Sequence, residues 1–148
     1  MPLPEPSTAL EDEIAFALGS ASRAVTRRYR DLLAGMGLTY PQYLVMLLLW
    51  EGEDRTVREL GERLALNSGT LSPLLRRLSS AGLVVVRRDE ADHRSVRVSL
   101  TGAGRAMRPQ AESVAAAMAE AMGLAPDELL DFVARLRLLT GRMRVPGQ

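Results

Sequence analysis

The chain has 148 residues, 47% apolar and 25% charged, with a net charge of +1 at pH 7, a composition that suits one domain around one core. It has no cysteine and one histidine, His93. This excludes disulfides, cysteine-ligated zinc and thiol chemistry, and leaves almost no material for a histidine metal site or a Ser/His catalytic arrangement. No apolar run approaches the roughly 18 to 20 residues of a membrane helix, and Met1-Pro2-Leu3-Pro4-Glu5-Pro6 lacks the basic-then-apolar order of a secretory signal. A cytoplasmic chain with no membrane contact and no cofactor is expected, and not an enzyme.

Residues 1–8 are Pro-rich and read as a flexible tail, with 9–148 as a single domain. From Ala9 to about Ala34, Leu10, Ile14, Ala17, Leu18, Ala21, Val25 and Leu32 recur mostly at spacings of three and four, predicting a helix that Gly35-Met36-Gly37 ends. Thr39 can cap the next helix, with Pro41 in its first turn, where a missing N–H costs little. The run Tyr43 to Trp50 is apolar nearly all round and should be buried, in this chain or in a subunit contact. After the polar turn Glu51-Gly52-Glu53-Asp54, Thr56-Val57-Arg58-Glu59 is a capping-box sequence that opens a short helix with Val57, Leu60 and Leu64 inward. Ala65-Leu66-Asn67 breaks it. Asn67 or Ser68 caps a further helix with Leu71, Leu74, Leu75 and Leu78 as its apolar stripe, and Gly82 ends it.

Leu83 to Arg88 reads as a strand, Asp89 to Arg94 as a polar turn, and Ser95 to Leu100 as an alternating strand with one face buried. Thr101 then caps one long helix to about Met122. Pro126, Asp127 and Glu128 open a last helix to about Arg142, with Leu129, Leu130, Phe132, Val133, Leu136 and Leu139 as its apolar face. The fold class is therefore mainly α with a small β hairpin, and residues 55–100 read as a winged helix-turn-helix.

Charge is unevenly placed. Residues 55–108 hold eleven Arg against five acids, residues 1–54 four against eight, and residues 109–148 four against five. A basic middle between mildly acidic ends suits a localised polyanion-binding surface, although a solvated charged face has the same composition. The outer face of the second helix of the motif carries Ser68, Ser72 and Arg76 four apart, with Thr70, Pro73 and Arg77 beside them. Small hydroxyl residues at a helix start allow close approach to phosphates, and the two arginines can reach phosphates or a guanine edge in a major groove. Pro73 either breaks a helix interior on the contact face or sits in the first turn of a later-starting helix.

At the hairpin tip, Arg94 suits a narrow A·T-rich minor groove, with Arg87, Arg88 and Arg97 on the flanks. Asp92 can hold the Arg94 guanidinium by a bidentate pair. The residues thus point to double-stranded DNA as partner. The alternative is a winged-helix module that binds protein without DNA, for which more exposed apolar anchors are expected.

Three segments carry a family resemblance: LEDEIAFALGSASRAVTRRYRDLL (10–33), LTYPQYLVMLLLW (38–50) and TVRELGERLALNSGTLSPLLRRLSSAGLVVVRRDEADHRSVRVSLTGAG (56–104). Together they resemble the MarR family of bacterial regulators, and within it the branch that senses organic hydroperoxides. The resemblance covers roughly residues 10–140. It implies a homodimer whose dimerisation helices are 9–35 and 102–142, linked by the buried helix 39–51 to the DNA-binding motif. It also implies a palindromic operator and, usually, repression relieved by an effector. The sensing branch carries a cysteine where this chain has Ala15, before Phe16; of the tyrosines that surround it, two match Tyr29 and Tyr40 and the third matches Gly19. Alanine forms no sulfenic acid or disulfide, so peroxide sensing by that chemistry is not expected. The small Ala15 and Gly19 leave room between the first two helices. Phe16, Tyr29, Tyr40, Tyr43, Met46 and Trp50 can line an apolar pocket there for a small aromatic or amphipathic effector, or other side chains close the gap as ordinary core.

Overall fold

The computed structural model describes Glu5 and residues 7–144, so the expected tail at 1–8 lies largely outside the described residues. The chain falls into two compact units, Met1–Gln110 and Ala111–Gln148.

In the first unit, a 3₁₀ turn at Leu10–Asp12 precedes helix α1 (Ile14–Leu33). The helix starts later than Ala9 because Glu13 caps it. The Glu13 carboxylate accepts from the N–H groups of Ala15 (3.2 Å) and Phe16 (2.7 Å), placing negative charge at the positive end of the helix dipole. Only Leu33 of α1 is buried. Gly37, at φ +67°, turns the chain. Thr39 and Gln42 form a reciprocal capping box that opens α2 (Tyr40–Glu51). Seven residues of α2 are buried, among them Tyr43, Met46, Leu49 and Trp50, as an all-round apolar helix requires.

After the turn, strand β1 (Asp54–Thr56) begins at the last residue expected in that turn, an element not expected from the sequence. It pairs antiparallel with a strand more than forty residues later, Asp54 facing Ser99 and Thr56 facing Arg97. Backbone pairing makes it a strand, and its polar residues carry no apolar alternation to betray it. Thr56 and Glu59 then cap α3 (Val57–Leu64) by the expected box. The helix stops at Ala65, in left-handed conformation at φ +54°, with the Leu66 N–H donating to the Gly61 carbonyl at 2.9 Å. Gly61 permits this tight turn, since a Cβ there would lie 2.9 Å from the Leu66 oxygen.

Asn67 caps α4 (Ser68–Ser80), its side-chain oxygen accepting from the Thr70 N–H at 2.9 Å. Leu71, Leu74, Leu75 and Leu78 are all buried, as their spacing predicts. Pro73 is the sixth residue of α4. It therefore stands in the helix interior and not in a first turn, and the Gly69 carbonyl loses its usual helical donor. Strands β2 (Val84–Arg88) and β3 (Val96–Leu100) complete a three-stranded antiparallel sheet in the order β1-β3-β2. The wing is thus a hairpin braced by a third strand. Val98 and Leu100 of β3 point into the core.

The expected single helix after Thr101 is two: α5 (Gly102–Ala106) and α6 (Arg108–Met122). Pro109 supplies the reason, since it has no N–H to continue the helical ladder toward Arg105. Gly104 of α5 packs so closely on the Leu83 carbonyl that no Cβ fits there, and its own carbonyl accepts from the Trp50 indole N–H at 2.9 Å. These contacts lock α2, α5 and the root of β2 together.

In the second unit, Gly123 at φ +64° ends α6. Helix α7 (Pro126–Met143) begins with Pro126 and the acidic pair Asp127 and Glu128. Of its expected apolar face, no residue is buried: Leu130 is 71% and Phe132 51% exposed. Among the described residues no single helix is long and apolar enough to cross a membrane.

Candidate nucleic-acid interface

The outer face of α4 presents Ser68, Thr70, Ser72, Arg76 and Arg77 to solvent, with Pro73 half-buried among them. Between α4, the start of α3 and the wing runs a groove of about 720 Å³ that gathers Ser72, Arg76, Asp92 and Arg94. Helix α4 and the wing thus bring four of the expected residues to one place. The floor is apolar, formed by Val57, Leu75, Val86 and Val96. Arg58 also lines the groove and was not singled out from the sequence. Its position in a capping turn carries no signal that the wing folds back beside it.

One expected role on the wing changes. The Asp92 carboxylate does not clamp the Arg94 guanidinium. It accepts from the Arg94 backbone N–H at 3.1 Å, while the Asp92 carbonyl accepts from the Ser95 N–H at 2.9 Å. Asp92 therefore shapes the turn, because a short side chain two residues back reaches the backbone more readily than the far end of an arginine. Arg87, expected as a DNA contact, donates to Asp54 at 3.0 Å. Arg97 is shared between Asp54 (3.0 Å) and Asp89 (3.3 Å). Among the described residues, no carboxylate lies within ion-pair distance of Arg76, Arg77, Arg88 or Arg94. The Asp89 carboxyl is held below its ordinary value, first by the hydrogen bond from the Ala91 N–H and then by Arg97.

The geometry is that of a winged helix-turn-helix, and the comparisons place it in a family. Residues 28–108 match the family model described as transcriptional regulator SarA/Rot. The chain is 46% identical over 105 residues to the organic hydroperoxide resistance transcriptional regulator of Bacillus subtilis, covering 71% of each chain. It is similar in structure to a MarR-family transcriptional regulator from Rhodococcus sp. RHA1, with TM-score 0.81 and 26% identity over 94% of this chain and all (100%) of that one. The chain is a MarR-family transcription regulator. It is also similar to reduced AbfR bound to DNA, with TM-score 0.75 and 32% identity, covering 91% of this chain and 94% of that one.

In this MarR-family regulator the position that resembles a sensing cysteine is Ala15, and the sequence holds no thiol at all. The expected effector residues do not meet within one chain. Ala15 and Phe16 are exposed near the start of α1. Tyr29 lies fourteen residues further along the same helix, about 21 Å away at 1.5 Å per residue. Beside Gly19, where a Cβ would point, the Arg23 guanidinium fills the space at 3.2 Å. Met46 is fully buried.

What does form is an aromatic cluster. Tyr29 stacks on Tyr40 at 4.9 Å and on Tyr43 at 5.7 Å, and Tyr43 meets Trp50 edge-on at 6.5 Å. Burial raises the pKa of all three phenols above the ordinary 10.0, with mutual repulsion adding to it for Tyr29 and Tyr43. These are the chain's three tyrosines, so phenolate absorbance reads this cluster alone. In the native protein the absorbance should rise at a midpoint above pH 10, returning to about 10 in denaturant. Because the folded values are raised, the associated stability is fully present below pH 10 and is lost as pH rises through the folded values. A native midpoint at or below 10 contradicts a desolvated cluster.

Proposed function

We propose that this regulator represses transcription by binding a palindromic operator as a homodimer. On this reading α4 of each copy enters the major groove, its hydroxyl-bearing start against phosphates and Arg76 and Arg77 toward phosphates or base edges. Arg94 at the wing tip enters the adjacent minor groove. The observation that carries the reading is the juxtaposition of two uncommitted cations, Arg76 and Arg94, in one groove beside Ser72. A cation already paired with a carboxylate gives up that partner on binding phosphate; these two have none to give up. The DNA-bound relative AbfR adds support. A dimer suits the uncovered apolar face of α7, because such a face in a stable chain calls for a partner. A two-fold dimer in turn matches two half-sites about one helical turn apart.

The test is a fluorescence-anisotropy titration of DNA from upstream of the chain's own gene at two salt concentrations, with and without cumene hydroperoxide. Tight binding is expected, with a log K against log salt slope of about −0.9 per neutralised phosphate, and no release by peroxide, since there is no cysteine. Failure to bind any upstream fragment counts against the reading and favours a protein partner; peroxide-induced release counts against the argument from Ala15. The half-buried phenols of Tyr29 and Tyr40 also suit a small aromatic or amphipathic effector, which offers ring stacking and one polar handle. An effector of this kind should shift operator affinity when phenolic compounds are titrated into the complex.

A further inference from the structure

The wing carries a charge problem. Arg87 of β2 and Arg97 of β3 are direct cross-strand partners, and like charges placed directly opposite destabilise a strand pair. Asp54 resolves it from the third strand: one carboxylate oxygen accepts from Arg97 Nε and the other from Arg87 Nη2, both at 3.0 Å. The chain of contacts then continues outward. Arg97 Nη1 donates to Asp89 at 3.3 Å. Asp89 in turn accepts from the Ala91 N–H and donates its own N–H to the Ser95 carbonyl, both at 2.9 Å. Those bonds close the turn that bears Arg94. Past the last strand pair, Arg88 opposite Val96, the described residues hold the tip by these short-range bonds and by the tie through Arg97.

Asp54 also stands where a plain electrostatic view says it should not. It is an exposed acid set between the two wing arginines Arg87 and Arg97, and a negative charge beside phosphates opposes DNA binding. Removing it should tighten binding by charge alone. It should also release Arg87 and Arg97 to contact phosphate. A role in geometry makes the opposite forecast.

We infer that Asp54 is a positioning residue for the wing: by bridging Arg87 and Arg97 and, through Arg97, holding Asp89, it aims Arg94 at the DNA without touching the DNA itself. This rests on the DNA-binding reading above.

The experiment is a double-mutant cycle on operator affinity, using wild type, Asp54→Asn, Arg94→Ala and the double variant on one DNA and at two salt concentrations. Asp54→Asn keeps the size of the side chain and removes its charge, so it should weaken binding about five- to tenfold while lowering the thermal unfolding midpoint only slightly, leaving the protein folded under assay conditions. In the Arg94→Ala background it should have almost no further effect, because the residue through which it acts is gone. Amide exchange at Ala91, Arg94 and Ser95 should quicken. Equal or tighter binding by Asp54→Asn, with a steeper salt slope, overturns the inference in favour of simple charge; so does an equal fold-loss in both backgrounds. Should Asp54→Asn fold poorly, Asp89→Asn cuts the same tie from its outer end and is read by the same cycle. Failure of wild type itself to bind DNA would instead sink the functional reading, so the two failures are distinguishable.

Discussion

Leu130→Glu is expected to split the proposed dimer into folded monomers. Leu130 is 71% exposed on α7, so the change should cost the isolated chain no more than about 0.5 kcal/mol. In a two-fold interface the same residue counts twice. Each lost leucine contact forgoes about 1.5–3 kcal/mol, and burying a carboxylate without a partner costs more. The dimer should therefore weaken by at least about 100-fold, to be read by sedimentation equilibrium. Operator affinity should follow, because two coupled half-site contacts exceed a single one by roughly 10²–10⁴ through effective concentration. Circular dichroism should be unchanged. A dimer that survives with full DNA affinity would show that the exposed face of α7 is not the contact.

The second large effect is on the wing. Arg94→Ala should weaken operator binding by about 1–3 kcal/mol per wing, or roughly five- to 150-fold for each of the two wings. The Arg94 side chain is exposed and has no carboxylate partner among the described residues, so folding should not suffer. Loss of a minor-groove arginine also has a sequence signature, because narrow A·T tracts concentrate negative potential. Exchanging the flanking A·T pairs for G·C should weaken wild type and leave Arg94→Ala indifferent. If the variant binds like wild type, or loses affinity equally on both sequences, Arg94 does not read the minor groove.

Features set by neighbouring residues follow the sequence. Thr39 and Thr56 cap the helices expected of them, Asn67 is the one of two candidates that caps α4, and Thr101 caps the short α5 in place of one long helix; a cap joins a side chain to a backbone N–H two or three residues away. The buried leucines of α4 follow from helical spacing alone. The break between α5 and α6 had a signal in Pro109 that the apolar periodicity on either side obscured. Strand β1 had none: Asp54, Arg55 and Thr56 are a strand only because β3 comes back beside them.

The site divides in the same way. That α4 presents Ser68, Ser72 and Arg76 outward, and that the hairpin ends in Arg94, follows from period and turn chemistry. Which arginines are free does not. Arg87 and Arg94 are alike in sequence, yet Arg87 is held by a carboxylate 33 residues away and Arg94 by none. The proposed effector residues divide too: the tyrosines cluster because α1 and α2 pack together, while Ala15 stays distant because a helix spaces its residues rigidly. The caps of α2 and α3, the buried stripe of α4 and the turn at the wing tip follow from the sequence alone, since each rests on residues a few positions apart; the split of α5 from α6 and the exposed face of α7 do not. The third strand, the pairing of Arg87 and Arg97, and the groove uniting Arg58, Arg76 and Arg94 were decided by the tertiary structure. Ion pairs and grooves depend on distances in space between segments that chain position leaves free.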